Sequence, residues 1–252
     1  MEYTYSWYLE VLKELKKEEY VLSNYSDWKK SSKSVIVRHD IDMDLQAAVD
    51  LAKVENEFWQ GANKAVYFVL ISTEFYSVFT KKSKEKLKKI MELGGEIGLH
   101  FDETQYDECT TDNLCRLIEN EKKILESVVE CKVNVVSMHR PSKRLLEEKI
   151  TVEGAENVYD GLYFKDMKYV SDSRRNWREN VQETIKSGKY SRLHILTHPI
   201  WYREREYSFK ETMVNRMVAG VKNYENSIYE NVTNLSEIVT REELRRLIIE
   251  LL

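Results

Sequence analysis

The sequence predicts an α/β fold: an irregular (β/α) barrel of mainly parallel strands, with an added N-terminal helix and a helical C-terminus. Three observations carry that expectation. Short apolar runs alternate with amphipathic stretches of helical period, chemically capable polar residues gather at the ends of those runs, and no Pro-, Gly- or Ser-rich linker divides the 252 residues. The chain therefore reads as a single domain, 1–252, with its strand-end motifs within about 34–202. Alternation alone cannot count strands to closure, so an open doubly wound sheet competes with the barrel.

Taken in order, Tyr5 to Tyr20 places Trp7, Tyr8, Val11, Leu12 and Leu15 on one helical stripe. A polar stretch follows, ending at Ser34. Val35-Ile-Val37 then rises into Arg38-His-Asp-Ile-Asp42, a short buried strand with polar residues at its carboxyl end. Leu45, Ala48, Leu51, Ala52 and Trp59 mark the next helix, which Gly61 can stop. Ala65 to Ile71 is a second strand, Ser83 to Leu93 a helix ending at Gly94-Gly95, and Glu96 to His100 a third strand. The rhythm continues through a helix at 112–130, a strand at Val133 to His139, shorter elements around Tyr159 to Ser171, and a last strand at Leu193 to His198. From Ser208 onward the chain reads as charged helix.

Composition excludes several classes. With 39 basic and 43 acidic residues the net charge is −4, which gives no global field for nucleic acid. The longest apolar run, Ala65 to Ile71, is far short of the ~18 residues that span a bilayer, and Met1 to Glu10 lacks the pattern of a signal peptide, so a cytoplasmic protein without a transmembrane segment is expected. Cys109, Cys115 and Cys131 lack metal or redox spacing and read as reduced thiols.

The chemistry concentrates at strand ends. Asp40 and Asp42, His100, His139-Arg140 and His198 each end a different apolar run, and in parallel folds those ends share one face. Asp40 and Asp42, two apart in an extended strand, project to the same side while His39 points the other way. One carboxylate can ligate a divalent ion while the other, kept ionised beside it, accepts a proton. Asp44 suits the cap of the following helix. His39 can brace the loop, and His194, inside its strand, reads as a core or surface histidine.

As a set, these residues resemble the motifs of the polysaccharide deacetylases with the NodB-like domain, a carbohydrate esterase family 4 type, of which the chain would be a divergent member. Asp40-Ile-Asp42 is similar to the first motif, in which the first aspartate is the general base and the second binds metal. Gly-Glu-Ile-Gly-Leu-His100 resembles the approach to the metal histidine. Arg140-Pro141 resembles the third motif, whose arginine orients the catalytic aspartate. Asp172 and Trp177 are similar to the fourth, where the aspartate holds that arginine and the tryptophan walls the pocket. Leu196-Thr-His198 matches the last, whose histidine is the general acid. Trp201 and Tyr202 can line a sugar-stacking wall or pack.

The resemblance implies a metal-dependent N-deacetylase using zinc and acting on an N-acetylated sugar or glycan precursor; another amide or ester fits the same site. One position departs from the pattern. The family's second metal histidine, four residues after the first, is Thr104 here. A neutral hydroxyl is a poor replacement for imidazole, Asp102 and Glu103 lie close in sequence, and His139 can approach from the neighbouring strand, so His139 is expected to be the third ligand. The same departure motivates a rival reading, a non-catalytic descendant that binds carbohydrate or a partner. An unrelated metal hydrolase is a further alternative. An open-sheet nucleotide binder is weaker, since no P-loop or Gly-x-Gly-x-x-Gly turn follows the first strand.

Overall fold

The computed structural model describes residues 1–107, 109–147 and 150–251. Two compact units are distinguished, Met1–Glu206 and Tyr207–Leu252. Every strand, and the whole motif-bearing stretch, lies in the first.

That unit opens with α1 (Tyr5–Lys17), whose Thr4 cap accepts from the Trp7 amide and whose Tyr8, Val11, Leu12 and Leu15 are buried. A strand the sequence reading missed, β1 (Val21–Ser23), follows, and then β2 (Ser34–Ile41), buried along its whole length. Next come α2 (Leu45–Phe58), β3 (Val66–Leu70), α3 (Lys81–Glu92), β4 (Glu96–Phe101) and α4 (Thr111–Val129). The remainder runs β5 (Val135–Met138), α5 (Lys143–Glu147), β6 (Glu156–Asn157), α6 (Gly161–Lys165), β7 (Lys168–Ser171), α7 (Val181–Lys186) and β8 (Arg192–Thr197). Asp44 caps α2 as expected, accepting from the amides of Gln46 and Ala47.

All strand pairs are parallel, in the order β6-β5-β4-β3-β2-β8-β7, with β1 beside the start of β2. Chain neighbours are sheet neighbours, and β8 returns to flank β2. This is the circular order of a barrel with one break, between β6 and β7, rather than the reversed order of a doubly wound sheet. The curl is real at the side-chain level. On a flat sheet β2 and β5, three strands apart, would be separated by about 14 Å. Across the concave interior, Arg38 of β2 nonetheless donates directly to Ser137 Oγ of β5.

The two faces of β2 are bound differently. Outward, His39 bonds Thr197 Oγ1 of β8 (2.6 Å) and Glu55 Oε1 of α2 (2.8 Å). Tyr8 and Tyr67 also donate to Glu55, each at 2.5 Å, and Asn63 at 3.3 Å. Burial would raise the Glu55 carboxyl, but His39 and the two tyrosines outweigh it and hold it below its ordinary value. Strand β2 is thus clamped to α1, α2 and β8. Inward, Gly98 of β4 makes room for the ring of Phe68, because a Cβ there would meet two of its carbons at 2.6 and 2.7 Å. That ring carries the Arg38 guanidinium at 4.8 Å.

The second unit is helical: α8 (Phe209–Asn231), α9 (Leu235–Ile238) and α10 (Arg241–Leu251). Ser208 and Glu211 form a capping box at its start, and Arg245 of α10 binds Glu225 of α8 at 2.8 Å. The three cysteines are free thiols. Among the described residues, no helix is long and apolar enough to cross a membrane.

Glu121 of α4 gives a measurable signature. It is only 3 % exposed, takes a bond from Tyr106 OH at 2.8 Å, and burial, against that bond, pushes its carboxyl up to about 7. A carboxyl raised in the folded state holds its proton longer there than in the unfolded chain. Its contribution to stability is therefore fully present below the ordinary carboxylate range and is lost as pH rises towards and through about 7. Glu121→Gln should raise the thermal midpoint by several degrees at pH 8 while changing it little at pH 5. Equal shifts at both pH values would contradict the assignment.

Candidate metal centre

The carboxyl ends of β2, β4, β5, β7 and β8 converge on one face, and each brings a titratable group. Asp42 Oδ1, just beyond β2, stands 3.4 Å from His100 Nε2 of β4 and 3.4 Å from His139 Nδ1 at the end of β5. The two imidazole nitrogens are 3.2 Å apart. Asp42, His100 and His139 are the one set among the described residues whose ligand atoms gather tightly enough to hold a metal ion. Asp42 Oδ1 is also buried without any hydrogen-bond partner in the protein. A buried anion left so is costly unless a cation meets it.

The charge states suit ligation. Burial would raise the Asp42 carboxyl, but His100 and His198 outweigh it and keep it ionised. Burial, reinforced by His100, lowers the His139 imidazole and favours the neutral form that can coordinate. The ring is aimed by a bend at Arg140, whose φ of 48° lies in the left-handed region that non-glycine residues rarely adopt. The His139 amide fixes the same bend through Phe101 O, at 2.7 Å.

Thr104 is engaged by its own loop. Its hydroxyl donates to Asp102 Oδ1 at 2.8 Å, and Asp102 also accepts from the Thr104 amide and from Arg140 Nη2, at 2.7 Å. Asp102 is therefore occupied in holding its own loop. This corrects the expectation for Arg140, which does not reach Asp40: it pairs with Asp102, and its side chain is 64 % exposed.

The arginine on Asp40 is Arg38, which motif spacing did not single out. It is fully buried, with Nε donating to Oδ1 and Nη2 to Oδ2 of Asp40, both at 2.8 Å. Burial opposes ionisation of Asp40, yet Arg38 and then His100 hold its carboxyl far below the ordinary range. The clamp fixes the carboxylate plane and leaves Oδ2 facing His100 Nε2 at 3.5 Å. Alternation along β2 puts Arg38, Asp40 and Asp42 on one side, so the signal was present in the period of two.

Asp172 is corrected likewise. Its partner is a histidine, not an arginine: Oδ1 receives His198 Nδ1 at 2.6 Å, and Oδ2 takes the His198 amide at 3.1 Å and Tyr202 OH at 3.0 Å. Burial would lower the His198 imidazole; Asp172 overrides it and raises the group to about 9. The far nitrogen, Nε2, faces Asp42 Oδ2 at 3.8 Å. His198 is thus a cationic imidazole aimed at the cluster.

Of the two readings left open for Trp201 and Tyr202, their burial favours packing, and Trp177 is enclosed as well. Tyr202 is fully enclosed and serves Asp172. Trp177 and Trp201 are 6 and 7 % exposed, and Trp177 packs against Trp7 of α1 at 5.9 Å. All three are packing or positioning groups. His194 is a core histidine, bonded to Tyr25 OH at 2.7 Å and pushed down to about 3 by burial and Arg38. Tyr159, half-buried beyond β6, lies over the Arg38 guanidinium at 5.3 Å and was not anticipated.

No family model and no curated protein matches the sequence. Among solved structures the chain is similar to a CE4 family pseudoenzyme from Bacillus anthracis, with 13 % identity over 76 % of this chain and 61 % of that one, at a TM-score of 0.42. It therefore spans about three-fifths of that protein's structure. It is also similar to the CE4 domain of a multidomain xylanase from the hindgut metagenome of Trinervitermes trinervoides (12 %, 77 and 85 % covered, TM-score 0.43). A third similar structure is a polysaccharide deacetylase from Bacillus cereus (12 %, 76 and 88 % covered, TM-score 0.41).

Proposed function

We propose that this chain is a zinc-dependent hydrolase that removes the acetyl group from an N-acetylated sugar or glycan precursor. The observation that carries the reading is the triangle of Asp42 Oδ1, His100 Nε2 and His139 Nδ1, with edges of 3.2, 3.4 and 3.4 Å. A tetrahedral zinc ion with bonds of about 2.0–2.1 Å sets its ligands about 3.3 Å apart. Three protein ligands with one open position is the arrangement of a catalytic rather than a structural site. A divalent ion held there would polarise a carbonyl and a water molecule.

The protein's own groups divide the remaining work. Asp40, ionised and held in plane by Arg38, accepts the proton of the attacking water. His198, kept protonated by Asp172, donates to the nitrogen of the departing amine, and Tyr202 fixes Asp172 so that Nε2 stays aimed at the site. The alternative, a binding descendant without turnover, was motivated by the missing histidine at 104; the place of His139 in the cluster, with Asp40 and His198 beside it, favours turnover over it.

Metal titration tests the ligand set directly. His139→Ala should weaken zinc affinity by about 10²-fold or more, whereas Thr104→Ala and Asp102→Ala should stay within a few-fold of the parent. Unchanged affinity in the His139 variant with loss in either of the others would overturn the assignment.

The clamp on Asp40 makes a second claim. Arg38→Lys keeps the charge but cannot offer two parallel donors, so kcat should fall at least ten-fold with KM little changed. Arg140→Gln should stay within a few-fold. An equal loss of kcat in both would return the role to Arg140.

The third concerns pH. His198 must carry its proton to act as an acid, so activity should fall as pH rises through its titration, on the alkaline side. Removing the Asp172 charge removes what raises that imidazole. In Asp172→Asn the alkaline limb should therefore move to lower pH, and an unmoved limb would exclude His198 as the acid.

A further inference from the structure

We infer that the loop between β3 and α3, together with the first turn of α3, docks the site mouth onto a bilayer rich in anionic lipid. The loop, 71–80, leaves β3 at the site end of the sheet and is tied there. Tyr76 OH donates to Ile41 O at 2.7 Å, next to Asp42, and accepts from the Leu70 amide at 3.1 Å. Val78 is fully buried and anchors the tip, while Phe75 and Phe79 on either side of it are 47 and 59 % exposed. Two phenylalanines held outward from one anchored loop form an apolar wedge of the kind that enters the headgroup boundary.

The helix that follows supplies the matching charge. In its twelve residues, Lys-Lys-Ser-Lys-Glu-Lys-Leu-Lys-Lys-Ile-Met-Glu, there are six lysines against two glutamates, in a chain whose net charge is −4. Ser83, Leu87 and Ile90 face inward, and Lys81, Lys82, Lys84, Lys88 and Lys89 are exposed. Lys81 reaches Glu85 only at 3.9 Å, and Lys82, Lys84 and Lys88 have no carboxylate partner among the described residues.

Helix stability does not explain this placement. Lys81, Lys82 and Lys84 crowd the first turn, which holds no acidic residue, and there the helix dipole disfavours cations. The cationic end is next to the exposed phenylalanines, on the face that carries the metal cluster. Apolar wedge and lysines together suit an anionic lipid surface, since a soluble polyanion would have no use for the exposed rings. Docked in this way, the site would face substrates presented at the membrane. That corollary alone rests on the proposed deacetylase function.

Vesicle sedimentation of the full chain tests the docking without any measurement of turnover. The chain should bind vesicles of phosphatidylcholine with a third phosphatidylglycerol, release as salt rises, and ignore phosphatidylcholine alone. Lys81→Gln/Lys82→Gln/Lys84→Gln should reduce partitioning about 10²-fold, at about 1 kcal/mol per lysine. The corresponding triple arginine variant should retain it, and Phe75→Ser/Phe79→Ser should reduce it about ten-fold or more. Absence of binding to anionic vesicles would overturn the inference. So would binding that survives both the glutamine and serine variants, or a preference for dextran sulfate over the vesicles.

Discussion

A guanidinium with no exposed surface governs the interior of this barrel. Burying Arg38 is tolerable only because Asp40 takes two of its donors, Ser137 takes another bond, and Phe68 lies beneath its plane. Asp40 lies two residues along the same strand, whereas Phe68 and Ser137 come from β3 and β5, so the full set of partners is assembled only when those strands have closed around β2. Gly98 belongs to the same constraint, since any side chain there would displace the ring that supports the arginine. Fold and site are therefore not separable here: the group proposed to move a proton is also half of the ion pair around which the interior is packed.

The same device recurs twice on either side of β2. Glu55 takes four donors behind the sheet and fixes His39, and Asp172 takes three and fixes His198. In both cases a fully buried carboxylate is saturated by hydrogen bonds, which holds it rigid. Asp42 is the exception among these acids. Its Oδ1 is buried but unbonded, and two imidazole nitrogens stand beside it at distances too long for good hydrogen bonds. Where neighbouring acids are saturated, the acid left open beside two histidines is the one that could hold a cation.

Much of this was legible in sequence. The alternation of runs located the major strands and helices, and the strand-end rule gathered Asp40, Asp42, His100, His139 and His198 on one face. The expectation that His139 stands in for the missing histidine came from ligand chemistry and its strand-end position, and His139 does gather with Asp42 and His100. What failed has a common cause. Arg140 and Asp172 were assigned partners by motif analogy, but contacts across a barrel interior depend on curl, which no local pattern encodes. Arg38 was readable in principle, being two residues before Asp40 on an extended strand. Trp177 was read from the motif and Tyr202 from residue type, and their burial is decided by packing against Trp7 and against Tyr3 and Tyr8, far away in sequence. Strand β1 escaped because three residues in a polar stretch carry no period.

X-ray absorption at the zinc edge, on the chain loaded with one equivalent of zinc, tests the central claim most directly, because it counts ligands without requiring a substrate. The account predicts a four-coordinate ion with nitrogen and oxygen neighbours at about 2.0–2.1 Å and the outer-shell scattering of two imidazoles, falling to one in His139→Ala. A spectrum with one imidazole in the parent chain, or one unchanged by that substitution, would contradict it.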